Sequence, residues 1–69
     1  MTLKEIGDFV QKTRKAQGLT QLELARLTRV GRRFILELEA GKESIHFGKA
    51  LNVMSALGIR INLDEPMGV

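Results

Sequence analysis

Residues 20–42 have the sequence TQLELARLTRVGRRFILELEAGK, and this stretch decides how the chain folds. Thr20 and Glu23 have the spacing of a capping box, which predicts that a helix begins here and runs to about residue 28. Residues 29–31 then form a break of three residues, and a second helix is predicted over residues 32–40. A glycine stands at each end of that second helix, as an N-cap and as a C-terminal stop. Two short helices therefore follow each other across a tight turn.

The same signals continue on both sides of this stretch. Thr2 and Glu5 repeat the capping box and predict a helix over about residues 3–17, with Gly18 just after its end. A fourth helix is predicted near residues 47–57 because apolar side chains recur there at steps of three and four. Those side chains are Phe47, Ala50, Leu51, Met54 and Leu57. The predicted fold class is all-α, a bundle of four short helices.

The end of the chain follows a different pattern. Residues 59–64, IRINLD, alternate between apolar and polar side chains, which predicts a β-strand. The apolar face of this strand holds Ile59, Ile61 and Leu63. A lone strand cannot satisfy its backbone hydrogen bonds within its own chain, so we expect it to pair with its copy across a dimer. A tail that lies across its own core is the alternative. The chain is thus divided into a helical domain, residues 1–58, and a C-terminal strand and tail, residues 59–69.

Composition excludes several kinds of site. The 69 residues include no cysteine and one histidine, so neither a disulfide nor the usual ligands of zinc are available. We therefore expect no metal and no cofactor. Ser44 and His46 lie two residues apart on a predicted loop with no acid to orient them, so we expect no enzyme. No segment approaches the ~18 apolar residues of a membrane span. A cytoplasmic protein without a membrane partner is the expectation.

Positive charge is concentrated in one part of the chain. The net charge is only +3. Residues 12–33, however, contain seven basic side chains against the single acidic Glu23, whereas the rest contains four basic and seven acidic ones. This asymmetry favours a face that meets a polyanion such as nucleic acid. A solvated helix face is the alternative.

Two short helices joined by a three-residue turn, with arginines opening the second, form the helix-turn-helix pattern. Residues 20–42 resemble the corresponding motif of the Xre/Cro family of repressors. The matching positions are Thr20, Gln21, Ala25, Val30, Ile35, Leu38, Glu39, Gly41 and Lys42, and the resemblance extends from about Ile6 to Gly58. It implies a lambda-repressor-like bundle that binds double-stranded DNA through the second helix of the motif.

One position departs from the family pattern. The family usually has glycine where this chain has Arg29, because that residue adopts a left-handed backbone conformation. An L-residue in this conformation costs about 1–2 kcal/mol. Either the turn tolerates the cost or its shape differs, and an arginine at this corner could also contact a phosphate.

Candidate base contacts follow from the docking geometry of the motif, which places the N-terminal part of the second helix against base edges. Arg32 and Arg33 occupy that part, and arginine can donate two parallel hydrogen bonds to guanine. Glu37 lies one turn later and either accepts from a cytosine amino group or pairs with Arg33. Phe34 is expected to be exposed and to contact a thymine methyl group, with inward packing as the alternative.

The resemblance also implies backbone contacts and a structural ion pair. Gln21, at the start of the first motif helix, and Lys42, after the second, are expected to contact phosphates. Arg14 and Glu39 match positions that form a buried ion pair in related repressors, so we expect a structural role for both.

Four helices followed by an apolar strand are similar to the antitoxins of Hip-type toxin–antitoxin modules. This narrower resemblance implies a homodimer, a palindromic operator that the antitoxin represses, and a kinase-type toxin as protein partner. A stand-alone phage or chromosomal repressor is the alternative within the family. A helical module that binds only protein is the alternative from another class.

Overall fold

A computed structural model describes residues 1–62 of the chain. Within this range the chain forms four helices and no strand. They are α1 (Leu3–Ala16), α2 (Gln21–Thr28), α3 (Arg32–Ala40) and α4 (Phe47–Ala56). The predicted all-α bundle of four short helices is confirmed.

The first two helices begin at the two predicted capping boxes. Thr2 Oγ1 accepts a hydrogen bond from the Glu5 amide (3.1 Å), and Glu5 Oε1 accepts one from the Thr2 amide (2.8 Å). Thr20 and Glu23 form the same pair of bonds at 3.0 and 2.8 Å. The pKa of both glutamates lies below its ordinary value, because each carboxylate accepts the backbone N–H of its N-cap residue. Local sequence therefore fixes where α1 and α2 begin.

Helix α3 lies between α1 and α2, and α4 packs against α2. Their buried apolar side chains form one core. This core consists of Val10, Leu24, Ala25, Ile35, Leu38, Ala50, Val53, Met54 and Leu57. Phe47 and Leu51, which the periodicity placed inside, are 59% and 38% exposed. They lie beside the buried arc of α4, whereas Val53, which the prediction omitted, is fully buried.

Helices α1 and α3 approach each other closely at Gly7. A Cβ atom at this position would lie 2.5 Å from the Leu38 carbonyl oxygen and 2.6 Å from that of Glu39. Only glycine therefore permits this crossing. The role of Gly7 was not predicted, since a glycine within a helix does not reveal what lies opposite it.

The turn between α2 and α3 has the predicted left-handed residue. Arg29 has φ 59° and ψ 40°, and it is the one non-glycine residue with positive φ among residues 1–62. The next amide, of Val30, donates to the Ala25 carbonyl oxygen (3.0 Å) and holds the turn against the end of α2. The turn thus keeps the conformation that glycine ordinarily adopts, with arginine in its place.

Beyond α4 the chain turns at Gly58 and runs on without regular structure to residue 62. The Ile59 amide donates to the Met54 carbonyl oxygen (2.9 Å), and the Ile59 side chain packs against the core. Ile61 is 45% exposed. Leu63 lies outside the described residues. The predicted strand needs a second chain to pair with, and its pairing across a dimer stays a prediction. The side chain of Ile59 packs on the core of its own chain.

We predict that Arg29→Gly raises the free energy of unfolding by about 0.5–1 kcal/mol, because relief of the left-handed strain exceeds the added entropy of the unfolded chain. Urea unfolding followed by circular dichroism measures the change. Arg26→Gly is the matched control, because it removes an arginine from regular helix and should destabilise by about 1 kcal/mol. Equal destabilisation by both variants would contradict a strained Arg29.

Candidate nucleic-acid interface

Helix α3 has a buried side and an exposed side. Ile35, Leu38 and Glu39 are buried against the other helices. Successive residues of a helix are rotated by about 100°, so the opposite arc is formed by five other positions. These are Arg32, Arg33, Leu36, Glu37 and Ala40, of which all but the half-buried Glu37 are exposed. This arc is called the outer face of α3, and it includes three of the residues predicted to contact DNA.

Glu37 is paired with two cations at the edge of the outer face. Lys42 Nζ donates to Glu37 Oε2 at 2.9 Å, and Arg33 Nε lies 3.4 Å from the same oxygen. The Lys42 ammonium, with a smaller contribution from Arg33, lowers the pKa of Glu37. In this unbound chain Glu37 therefore forms the i, i+4 pair that was one of its two predicted roles. Because both cations are largely exposed, a phosphate can replace the carboxylate.

The expected exposure of Phe34 is wrong. Its side chain is partly buried and packs against the core. Phe34 and Leu38 are four residues apart and so lie on the same side of α3. That side faces the other helices, so the inward alternative for Phe34 is the one that the structure contains.

Arg14 and Glu39 form a buried ion pair that joins α1 to α3. Arg14 Nε donates to Glu39 Oε2 at 2.6 Å, and Arg14 Nη2 donates to Oε1 at 3.0 Å. The two side chains are only 7% and 3% exposed. Arg14 Nη1 also donates to the Leu19 carbonyl oxygen at 2.8 Å, which ties the loop before α2 to the pair. The structural role expected for these two residues matches this geometry.

Gln21 takes part in the same cluster. Its Nε2 donates to Glu39 Oε1 at 3.2 Å, so α2 is also bonded to this carboxylate. Gln21 was expected to contact a phosphate, and this bond to Glu39 was not predicted. A carboxylate can accept more hydrogen bonds than one arginine donates. The sequence could therefore have indicated that Glu39 needs a further donor. Among residues 1–62 no buried side-chain nitrogen or oxygen lacks a hydrogen-bond partner.

A second surface lies away from α3. An apolar groove of about 750 Å³ is formed by α1, α4 and the segment after Gly58, and its lining includes no residue of α2 or α3. Four of its lining side chains are large, apolar and exposed. They are Met1, Phe9, Phe47 and Ile61. This surface is called the α1/α4 groove.

Three other features bear on the kind of site. No group of three or more potential metal ligands occurs within residues 1–62. His46, considered above for chemistry, is the N-cap of α4, and its Nδ1 accepts a hydrogen bond from the Lys49 amide at 3.2 Å. None of the helices in the described part of the chain is long and apolar enough to span a bilayer.

Comparison with protein families gives one match, "Helix-turn-helix", over residues 10–63. The chain belongs to the helix-turn-helix family. The match includes the whole of α2, α3 and α4, and it begins four residues later and ends five residues later than the resemblance found in the sequence. The predicted kinship with helix-turn-helix regulators is confirmed.

A similar protein agrees with this assignment. An uncharacterized HTH-type transcriptional regulator, y4mF, of Sinorhizobium fredii (strain NBRC 101917 / NGR234) is 46% identical over 65 residues, which cover 94% of this chain and 86% of the relative. The chain is thus a helix-turn-helix transcriptional regulator.

Solved structures share the fold. A chain described as "MDT Protein" and a chain from a HipA-HipB-O2-O3 complex each superpose with a TM-score of 0.84. Each is 17% identical, and the alignment covers 94% of this chain and 92% of the other. At this identity the likeness is one of fold.

We predict that Glu39→Met destabilises the chain by about 3–5 kcal/mol, because it leaves Arg14 buried and unpaired. The double variant Arg14→Met/Glu39→Met should be closer to the parent chain than Glu39→Met is. Urea unfolding of the parent, both single variants and the double variant measures the coupling.

The exposed pair Lys4–Asp8, with 2.9 Å between Nζ and Oδ1, is the matched control. Lys4→Met should change stability by less than about 0.5 kcal/mol. Additive losses in the Arg14/Glu39 double variant would contradict a coupled buried pair.

Proposed function

We propose that the chain is a dimeric, sequence-specific DNA-binding repressor, and that it is the antitoxin and autorepressor of a toxin–antitoxin operon with a kinase-type toxin. The outer face of α3 is the observation that carries the DNA-binding part. Arg32 and Arg33 open this face, both are exposed, and the buried side of the same helix is fixed by the core and by Glu39. A helix held in this way presents its arginines at a defined angle to a major groove.

We assign base recognition to the first turn of α3. Arg32 forms no ion pair within residues 1–62, so its guanidinium is available to donate to guanine N7 and O6. Arg33 is bound weakly, at 3.4 Å, to Glu37. When Arg33 contacts a base or a phosphate, the Glu37 carboxylate is released toward a cytosine amino group or retained by Lys42.

We assign the phosphate contacts to residues beside the outer face of α3. Lys42 exchanges its Glu37 partner for a phosphate oxygen, which is the exchange expected of an exposed ammonium. Gln21 uses one amide hydrogen for Glu39 and has a second one free to donate. Its position in the first turn of α2 adds the unpaired backbone N–H groups of that helix end.

We predict that selection from a random duplex pool at physiological salt enriches a two-fold palindrome, with half-sites about one helical turn apart, ~34 Å. Arg32→Ala and Arg33→Ala should each relax base preference at one position per half-site, where an arginine–guanine pair gives about 1–3 kcal/mol of discrimination. Lys42→Ala should instead weaken binding to all sequences alike and lower the salt slope by about one.

Lys49→Ala is the control for this experiment, because it removes an exposed lysine that belongs to α4 and not to the outer face of α3. It should leave base preference and salt slope unchanged. Identical effects of the arginine and Lys42 variants across a panel of sites would refute the division between base and phosphate contacts. Binding without salt dependence would favour the module that binds only protein.

The α1/α4 groove supports the dimeric part of the proposal. It is apolar, it contains two side chains of the C-terminal segment, Ile59 and Ile61, and it shares no residue with α3. A second copy seated here would cover exposed phenylalanines and leave both outer faces free for DNA. A face with little net charge also suits contact with its own copy, because the two-fold symmetry of a dimer brings like residues together.

We predict that Ile61→Asp converts the dimer to a monomer, because it puts a charge into the apolar contact. Sedimentation velocity at several protein concentrations measures the change. Leu27→Asp is the matched control, since Leu27 is 67% exposed on α2 and lies outside the groove. A dimer that survives Ile61→Asp would remove the C-terminal segment from the interface.

The toxin–antitoxin part rests on the resemblance found in the sequence and on the shared fold with a chain from a HipA-HipB-O2-O3 complex. A tagged chain purified from its native host should retain a kinase-like protein in constant ratio, identified by mass spectrometry. A homodimer without this companion would exclude the antitoxin role and leave the stand-alone repressor. Binding to chromosomal DNA places the proposed activity in the cytoplasm.

A further inference from the structure

Leu36 lies at the centre of the outer face of α3. With about 100° between successive residues, its side chain projects between those of Arg32 and Arg33. Ala40 follows one turn later on the same line. Leu36 is 44% exposed, so the middle of a face bordered by charges is apolar.

The exposed part of this leucine lies outside both apolar clusters of the described chain. It belongs neither to the buried core nor to the partly buried side chains packed on it, and it is absent from the lining of the α1/α4 groove. Phe34, in contrast, points inward and packs on the core. Ile35 is fully buried. Of the bulky apolar residues near the start of α3, Leu36 is therefore the one that a partner of the outer face touches.

We propose that Leu36 recognises thymine through its C5-methyl group. This inference rests on the proposed DNA-binding function and deepens it. When α3 lies in a major groove, the thymine methyl is the apolar group that a standard base pair presents there. Arg32 and Arg33 flank Leu36, so their guanine partners would lie on either side of the thymine. Leu36 thus makes the contact with a thymine methyl group that was expected of Phe34.

The test uses uracil in place of thymine, because uracil pairs in the same way and lacks only the methyl group. Each thymine of the best duplex from the selection is replaced in turn, in both half-sites, and the Kd is measured by fluorescence anisotropy. At one thymine per half-site the replacement should weaken binding by about fourfold for each half-site, the value for one buried methyl group.

Leu36→Ala then completes the cycle. This variant should bind the thymine duplex more weakly than the parent chain does, and it should no longer distinguish thymine from uracil. Leu27→Ala, which shortens an exposed leucine outside the outer face, should keep the full preference for thymine. Circular dichroism verifies that both variants are folded.

The outcomes separate the two proposals. If no duplex is enriched by the folded parent chain, the proposed repressor function fails. If a duplex is enriched but no uracil replacement changes the Kd, DNA binding stands and the role of Leu36 is overturned. Leu36→Ala that retains the thymine preference would overturn it equally.

Discussion

The carboxylate of Glu39 is the point on which the arrangement of the helices depends. It accepts two hydrogen bonds from Arg14 of α1 and one from Gln21 of α2, so a single buried side chain of α3 is bonded to both neighbouring helices. Gly7 lets α1 approach the backbone at this same residue. A buried ion pair of this kind is a weak source of net stability, because desolvation of the charges offsets much of their attraction. Its clearest consequence here is geometric, since it fixes the rotation of α3 about its own axis and thereby decides which side chains face outward.

That fixed rotation gives the chain two separate surfaces, to which we assign the two proposed tasks of DNA binding and dimerisation. The outer face of α3 carries arginines around an apolar centre, whereas the α1/α4 groove carries exposed phenylalanines and the start of the C-terminal segment. Because the two surfaces share no residue, occupation of one leaves the other accessible. A regulator that must dimerise and bind DNA at the same time needs this separation. At one edge of the outer face, the Glu37 carboxylate pairs with both Lys42 and Arg33. We propose that a DNA phosphate replaces this carboxylate.

The sequence predicted the features that depend on neighbouring residues. The capping boxes and the extent of the four helices are local, and the structure contains them. The family pattern left two alternatives for Arg29, and the left-handed conformation is the one observed. Features that depend on which side of a helix faces the core were predicted less well. Phe34 packs inward and Phe47 lies at the rim of the core, because the rotation of each helix is set by partners distant in sequence. The contact of Gln21 with Glu39 and the close approach at Gly7 are of the same kind.

The central claim is that the outer face of α3 meets DNA while the Arg14–Glu39–Gln21 cluster holds that face in position. Titration of the isotope-labelled chain with duplex DNA, followed by amide chemical shifts in NMR spectra, tests it most directly. We expect the largest shifts in residues 31–37, at Lys42 and in the first turn of α2. We expect small shifts at Phe9, Phe47 and Ile61. Shifts concentrated in the α1/α4 groove, with α3 unaffected, would contradict the claim that the outer face of α3 contacts DNA.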